Sequence, residues 1–219
     1  MDRLFDSAAG EPAARPIATT AVPAGEAPLA ARMRPVTLDD VVGQSHLLGE
    51  GQSLRAAIEH GRPHSMVLYG PPGSGKTTLA RIVAGAADAA FEELSAVEAG
   101  RAEVRAVLER AAARRGNGGG RTVLFLDEIH RFNKAQQDVL LPAVEEGLIT
   151  LIGATTENPY FEVNAALLSR TQVYELHALT ADDVLALLRR AIEAGGAGTT
   201  GIEDEAPEFL ATRAGGDAR

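Results

Sequence analysis

The chain has 219 residues, 45% hydrophobic and 23% charged, with a formal net charge of −9, which suits one large domain or a core domain with part of a smaller one. No apolar run approaches the roughly 20 residues that a membrane-spanning helix needs, and the acidic balance argues against a chain that coats nucleic acid by bulk electrostatics. There is no cysteine, which rules out disulfides, thiolate metal sites and thiol nucleophiles.

Residues 1 to 27 are rich in alanine and proline, with Glu11-Pro12, Arg15-Pro16 and Val22-Pro23 and no apolar periodicity, and read as a flexible leader. Met1 to Leu4 lack a basic stretch followed by an apolar one, so no secretory signal is read and the expected compartment is the cytoplasm. From Leu29 onward strands are expected to alternate with helices, the order of a parallel sheet covered on both faces. Helical spacing over Ser53 to His60 leads into a short apolar strand, Ser65 to Tyr69. A helix follows from about Lys76 to Ala87, then a strand over Phe91 to Ser95 and an alanine-rich amphipathic helix over Ala102 to Arg115. Arg115 to Gly120 is a loop by composition. Val123 to Leu126 reads as a buried strand ending on Asp127-Glu128. Ala135 to Glu145 is expected to be helical, with Leu148 to Ala154 the next strand, Asn164 to Ser169 a short helix and Gln172 to Leu176 the last strand. Thr180 is placed to cap a further helix with Asp182 and Asp183 in its first turn, and another helix starts near Glu203.

The five histidines (His46, His60, His64, His130, His177) show no zinc-ligand spacing, so a metal held by protein side chains alone is not expected. Only two lysines, Lys76 and Lys134, occur among 21 basic residues. A lysine kept at one spot in so arginine-rich a chain points to a task arginine does not perform.

Gly70-Pro71-Pro72-Gly73-Ser74-Gly75-Lys76-Thr77 fits the phosphate-binding pattern G-x-x-x-x-G-K-[ST] and lies between a predicted strand and a predicted helix. Its glycines let the backbone curl so that N–H groups face phosphate oxygens, and the helix opening near Lys76 adds its positive end. Lys76 would reach the β- and γ-phosphates of ATP, and the Thr77 hydroxyl would ligate Mg²⁺, with Thr78 next in line. At the end of a strand expected to neighbour the phosphate loop's, Asp127 would hold the same Mg²⁺ through its outer shell, and Glu128 would polarise the attacking water. An aspartate alone suits any nucleotide-binding protein of this kind; the added glutamate favours hydrolysis.

Gly153-Ala154-Thr155-Thr156-Glu157-Asn158 follows the next apolar strand. In such a sheet it would lie beside the phosphate loop, where Thr156 would hydrogen-bond the γ-phosphate or the lytic water. Read alone, threonine at a strand end is more often a turn former. Arg170, after a short helix, would point into a neighbouring subunit's site as an arginine finger, which requires an oligomer; the alternative is an ordinary solvated arginine.

Together these motifs resemble an AAA+ ATPase of the P-loop class. Pro28-Leu29-Ala30-Ala31-Arg32-Met33-Arg34-Pro35, Val42-Gly43-Gln44, Asp127-Glu128-Ile129-His130-Arg131-Phe132-Asn133-Lys134 and Gly153 to Pro159 narrow the likeness. They resemble the replication-associated recombination protein A family, bacterial relatives of the Werner-helicase-interacting ATPase in the clamp-loader branch. The His130 to Lys134 run is the most specific part. The resemblance implies an α/β nucleotide-binding domain over residues 28–177, with a central parallel sheet flanked by helices, and an incomplete helical lid over 178–219. It also implies that the segment around Val42 lines the adenine pocket, that Thr156 is the first sensor and Arg170 the finger in trans, and that Arg219 contacts the γ-phosphate from the lid.

The same resemblance implies ATPase activity stimulated by forked, gapped or single-stranded DNA, contact with replication proteins, action in fork maintenance, recombination and repair, and a homo-oligomer. Because the chain stops inside the lid, it is expected to be a fragment or truncated product, to hold nucleotide weakly and to remain largely monomeric. Two other readings stay open: a clamp-loader-like or helicase-loader-like switch with little turnover, and a small-metabolite kinase.

Overall fold

Five segments pair in parallel to make one sheet: β1 (Met66–Tyr69), β2 (Ala90–Ser95), β3 (Thr122–Asp127), β4 (Thr150–Thr155) and β5 (Gln172–Glu175), in the spatial order β2-β3-β4-β1-β5. The computed structural model describes residues 28–194 and 205–218. The expected leader and Arg219 lie outside the described residues.

The helices, in chain order, are α1 (Leu29–Arg32), α2 (Ser45–Leu48), α3 (Ser53–Glu59), α4 (Lys76–Ala86), α5 (Arg101–Gly116), α6 (Lys134–Gln137), α7 (Leu141–Glu145), α8 (Pro159–Glu162), α9 (Ala165–Leu168), α10 (Ala181–Glu193) and α11 (Glu205–Arg213). Single 3-10 turns occupy Leu38–Asp40, Ile129–Arg131 and Asp138–Leu140.

Side chains alternate across each strand, and both faces are apolar. Met66 and Leu68, Val123 and Phe125, Ile152 and Ala154 point to one face, where α3 and α4 cover them with Leu54, Ile58, Leu79 and Val83. Leu124, Leu126 and Leu151 point to the other, against Val104, Val107 and Ala111 of α5 and Leu167 of α9. The parallel α/β sheet sandwiched between helices, expected from the apolar runs, is therefore what forms.

One expectation is refined and one corrected. The helical stretch over Ala135 to Glu145 is made of three contiguous pieces, α6, a 3-10 turn and α7. Pro142 explains the break: it has no N–H to donate and its ring crowds the carbonyl one turn back, and it sits at the start of α7 where neither costs anything. The acids ending β3 were expected on a strand neighbouring the phosphate loop's, yet β3 does not pair with β1; β4 lies between them. A shift of smaller scale is that α5 runs through Arg115 and Gly116, leaving the glycine-rich loop shorter than its composition indicated.

Beyond the sheet, α10 opens on a reciprocal cap in which the Thr180 hydroxyl accepts from Asp183 N–H at 3.1 Å and the Asp183 carboxylate accepts from Thr180 N–H at 2.9 Å. Leu179, Val184 and Ala211 form a separate small core that joins α10 to α11. Arg190 of α10 donates to the Asp40 carbonyl at 2.8 Å, fastening that pair to the segment preceding α2.

Candidate nucleotide site

Parallel strands deliver their carboxyl ends to one edge of the sheet, and loops from that edge carry ligand sites in open α/β folds. Here that edge collects the turn Gly70–Gly75 after β1, Asp127 and Glu128 at the end of β3, Thr155 and Thr156 at the end of β4, and Leu176 and His177 after β5. Tyr69 pairs with Thr155 and Leu126 with Gly153. The glycine-rich turn and the two acids thus flank β4, about 10 Å apart at the usual strand spacing.

The turn is shaped by close approaches and positive φ. A Cβ at Gly70 would come 2.2 Å from the Leu176 carbonyl oxygen, and Gly73 and Gly75 hold φ of +73° and +99°. Lys76 opens α4 and folds back over the turn, its Nζ donating to the Gly70 carbonyl at 2.7 Å and the Pro71 carbonyl at 2.9 Å. Ser74 Oγ is buried with no hydrogen-bond partner. Pro71 and Pro72 are exposed, while Thr77 and Thr78 are half-buried in the first turn of α4.

Gln44 ties the segment before α2 to this turn. It is buried in the left-handed region (φ 56°), its Nε2 donates to the His177 carbonyl at 2.8 Å and the Ser74 carbonyl at 3.4 Å, and its Oε1 accepts from His177 N–H at 3.0 Å. Val42 is half-buried two residues away. On the far side, Asp217 packs against Gly73, and Gly216 against Leu179.

At the end of β3 the chain turns sharply: Glu128 adopts φ 52° and ψ 44°, and its N–H is 3.1 Å from Asp127 Oδ1. The fully buried Ile129 then anchors the following 3-10 turn against Gly153, where a Cβ would meet Ile129 Cδ1 at 2.9 Å. This seats His130 beside β4. Its Nδ1 lies 2.9 Å from Thr155 Oγ1 and 3.2 Å from Glu128 Oε2. Thr156 is exposed one residue past the strand. Arg170 is exposed beyond α9, where its guanidinium bonds the Ala166 carbonyl and Ser169 Oγ and pairs with the Glu145 carboxylate.

Of the residues singled out from sequence, the loop, the two acids and Thr156 share the sheet edge, while Arg170 faces Glu145 instead. Gln44, His130 and Thr155 stand within sequence motifs that assign them no role of their own, and no local pattern singles out Asp217.

Residues 66–177 match the family described as "ATPase family associated with various cellular activities (AAA)", just over half of the chain. The chain belongs to the AAA ATPase family. Among curated AAA relatives it is similar to replication-associated recombination protein A of Escherichia coli K12, 53% identical over 196 residues that make up 88% of this chain and 44% of that protein. The same-named protein of Coxiella burnetii is 56% identical over 198 residues, and the ATPase WRNIP1 of Dictyostelium discoideum 45% identical over 201, which is 22% of its length. The chain therefore spans less than half the length of these AAA proteins. Among solved structures, the Thermotoga maritima RuvB Holliday junction branch migration motor superposes with a TM-score of 0.69 at 33% identity, covering 85% of this chain and 61% of that one. None of the helices among the described residues is long and apolar enough to cross a membrane.

Proposed function

We propose that this AAA domain binds ATP with Mg²⁺ in the Gly70 to Thr78 turn and hydrolyses it to ADP and phosphate, as the motor of a DNA-acting protein in replication-associated recombination, fork maintenance and repair. The observation that carries this reading is that the glycine-rich turn and the Asp127-Glu128 pair stand at one sheet edge with β4 between them. A gap of about 10 Å accommodates a terminal phosphate with water on its far side.

The turn suits a polyphosphate. The orphan Ser74 Oγ is improved by an anion, and Lys76 Nζ already stands over the turn on the Gly70 and Pro71 carbonyls. On binding, Lys76 would exchange those carbonyls for phosphate oxygens. Magnesium, when bound, would neutralise developing phosphate charge, held by the Thr77 hydroxyl with Asp127 behind it. Glu128 would orient water for in-line attack, Thr156 would contact the γ-phosphate, and the segment from Val42 to Gln44 would border the base. Arg219 would add a γ-phosphate contact from a lid begun by α10 and α11.

Arg170 would leave Glu145 and enter a second copy's site on assembly, so full turnover belongs to a homo-oligomer. The exposed Tyr160 and Phe161 lie on the same 159–170 stretch and support a partner there. The relatives named replication-associated recombination protein A supply the replication and recombination setting, and forked, gapped or single-stranded DNA is the stimulant this reading expects.

The test is single-turnover ATP hydrolysis with and without forked DNA for the wild type, Lys76→Ala and Glu128→Gln. Lys76→Ala should lose nucleotide binding; Glu128→Gln should keep it and lose cleavage by at least about 100-fold. Wild-type hydrolysis in either variant refutes the site.

A further inference from the structure

We infer that His130 is a positioning residue: through one ring N–H shared between two acceptors, it fixes the Glu128 carboxylate to the end of β4. This rests on the reading of Glu128 as the acid that orients water.

The case begins with the backbone. Glu128 occupies the left-handed region (φ 52°), a conformation that strains a non-glycine residue, and the turn it creates brings the next-but-one side chain back over the sheet edge. The His130 side chain is only 9% exposed there, whereas Glu128, its partner, is 31% exposed. A half-open glutamate has several rotamers in reach of water, and holding it in one costs side-chain entropy. A charge-assisted hydrogen bond from a buried ring offsets that cost.

Proton accounting decides the direction of the bonds. Thr155 Oγ1 accepts from Glu157 N–H at 3.0 Å, and its own hydrogen has an acceptor in the Glu157 carbonyl at 3.3 Å. An ionised Glu128 only accepts. Both groups facing Nδ1 are therefore satisfied as acceptors when Nδ1 carries the proton, and a bare Nδ1 would set a lone pair against a carboxylate. The ring thus donates, at 2.9 Å to Thr155 and 3.2 Å to Glu128; it is not a base at that atom.

Position gives the bond its meaning. Thr155 pairs with Tyr69, the residue before the glycine-rich turn, and Thr156 follows it directly. Tying Glu128 to Thr155 makes the aim of the acid depend on the strand end that borders the phosphates, without His130 touching the nucleotide itself.

The test compares the wild type with His130→Ala, His130→Asn, Thr155→Val and Glu128→Gln. Single-turnover hydrolysis, binding of a fluorescent ATP analogue and thermal melting would be read for each, with long-range ¹H–¹⁵N spectra of the histidine rings. His130→Ala should slow hydrolysis by about 100-fold, the scale of a misaimed catalytic group, with nucleotide affinity within about twofold. Asparagine, whose amide N–H lies near the place of Nδ1, should restore most of the rate. In the spectra, wild-type His130 should show a protonated Nδ1 whose signal moves in both Glu128→Gln and Thr155→Val, a readout that needs no turnover. An unprotonated Nδ1, wild-type hydrolysis in His130→Ala beside a dead Glu128→Gln, equal impairment by alanine and asparagine, or parallel loss of nucleotide binding would each overturn the inference. Undiminished hydrolysis in Glu128→Gln would instead overturn the reading of the site.

Discussion

The carboxylate of Asp217 lies over the α-carbon of Gly73, so close that a Cβ added there would come 2.1 Å from Asp217 Oδ1 and 2.7 Å from the Asp217 α-carbon. Residues separated by most of the chain thereby share one small volume at the edge of the glycine-rich turn.

Gly73→Ala is expected to disturb that volume twice, by placing a side chain at φ +73°, which costs about 1–2 kcal/mol, and by pushing Asp217 aside. Affinity for a fluorescent ATP analogue should fall by at least about tenfold while the sheet still melts cooperatively. An affinity within twofold of wild type would mean that the turn and Asp217 part company when nucleotide binds.

Gln137→Leu should be among the most destabilising single changes in the chain. Gln137 is fully buried; its Nε2 donates to the Phe132 carbonyl at 2.9 Å and the Glu162 carbonyl at 3.2 Å, and its Oε1 accepts from Asn164 N–H at 2.7 Å. Leucine keeps the bulk and strands three backbone groups, for a loss of about 2–4 kcal/mol in urea denaturation. A loss under about 0.5 kcal/mol would show that water or another side chain takes its place.

Gln44→Ala is expected to cost about 2 kcal/mol by leaving His177 N–H and C=O unmatched, and to weaken ATP binding more than Thr78→Ala does. Equal binding by Gln44→Ala and wild type, measured by calorimetry, would separate this segment from the base pocket.

Acid should destabilise the fold through Glu92. The bonded Arg110 guanidinium, and Arg114 beside it, hold its carboxyl below the ordinary value of 4.5. A carboxyl whose folded pKa is depressed adds stability that is complete above 4.5 and disappears as pH falls through the lower folded value. Glu92→Gln should therefore lower stability at pH 7 by about 1 kcal/mol and flatten the acid limb of the melting curve. An unchanged acid limb in the variant would assign the loss to other carboxyls.

The parallel sheet and the glycine-rich turn could be read from sequence because each is written in contiguous residues: apolar runs of strand length, and Gly70 to Thr77 as one string. Asp127-Glu128 was legible for the same reason. The contacts that assemble these pieces were not. His130 and Thr155 stand 25 residues apart, and only the register of β3 against β4, fixed by packing on both faces, brings them together. Gln44 meets His177 across 133 residues, beyond any local pattern. The broken helix around Pro142 was legible in principle, since proline inside a helical run marks a boundary, but the apolar spacing on either side masked it.

Gly153 has an ordinary extended backbone, so nothing in its own conformation asks for glycine. What asks for it is Ile129 Cδ1, which would lie 2.9 Å from a Cβ there. An absent methyl in mid-sheet thus sets how deeply the turn after β3 can sink, and with it the height at which the imidazole meets its two oxygens. Bulk added at this spot would be felt as a tilt in the reactive edge, so a change deep in the scaffold could masquerade as a defect in chemistry.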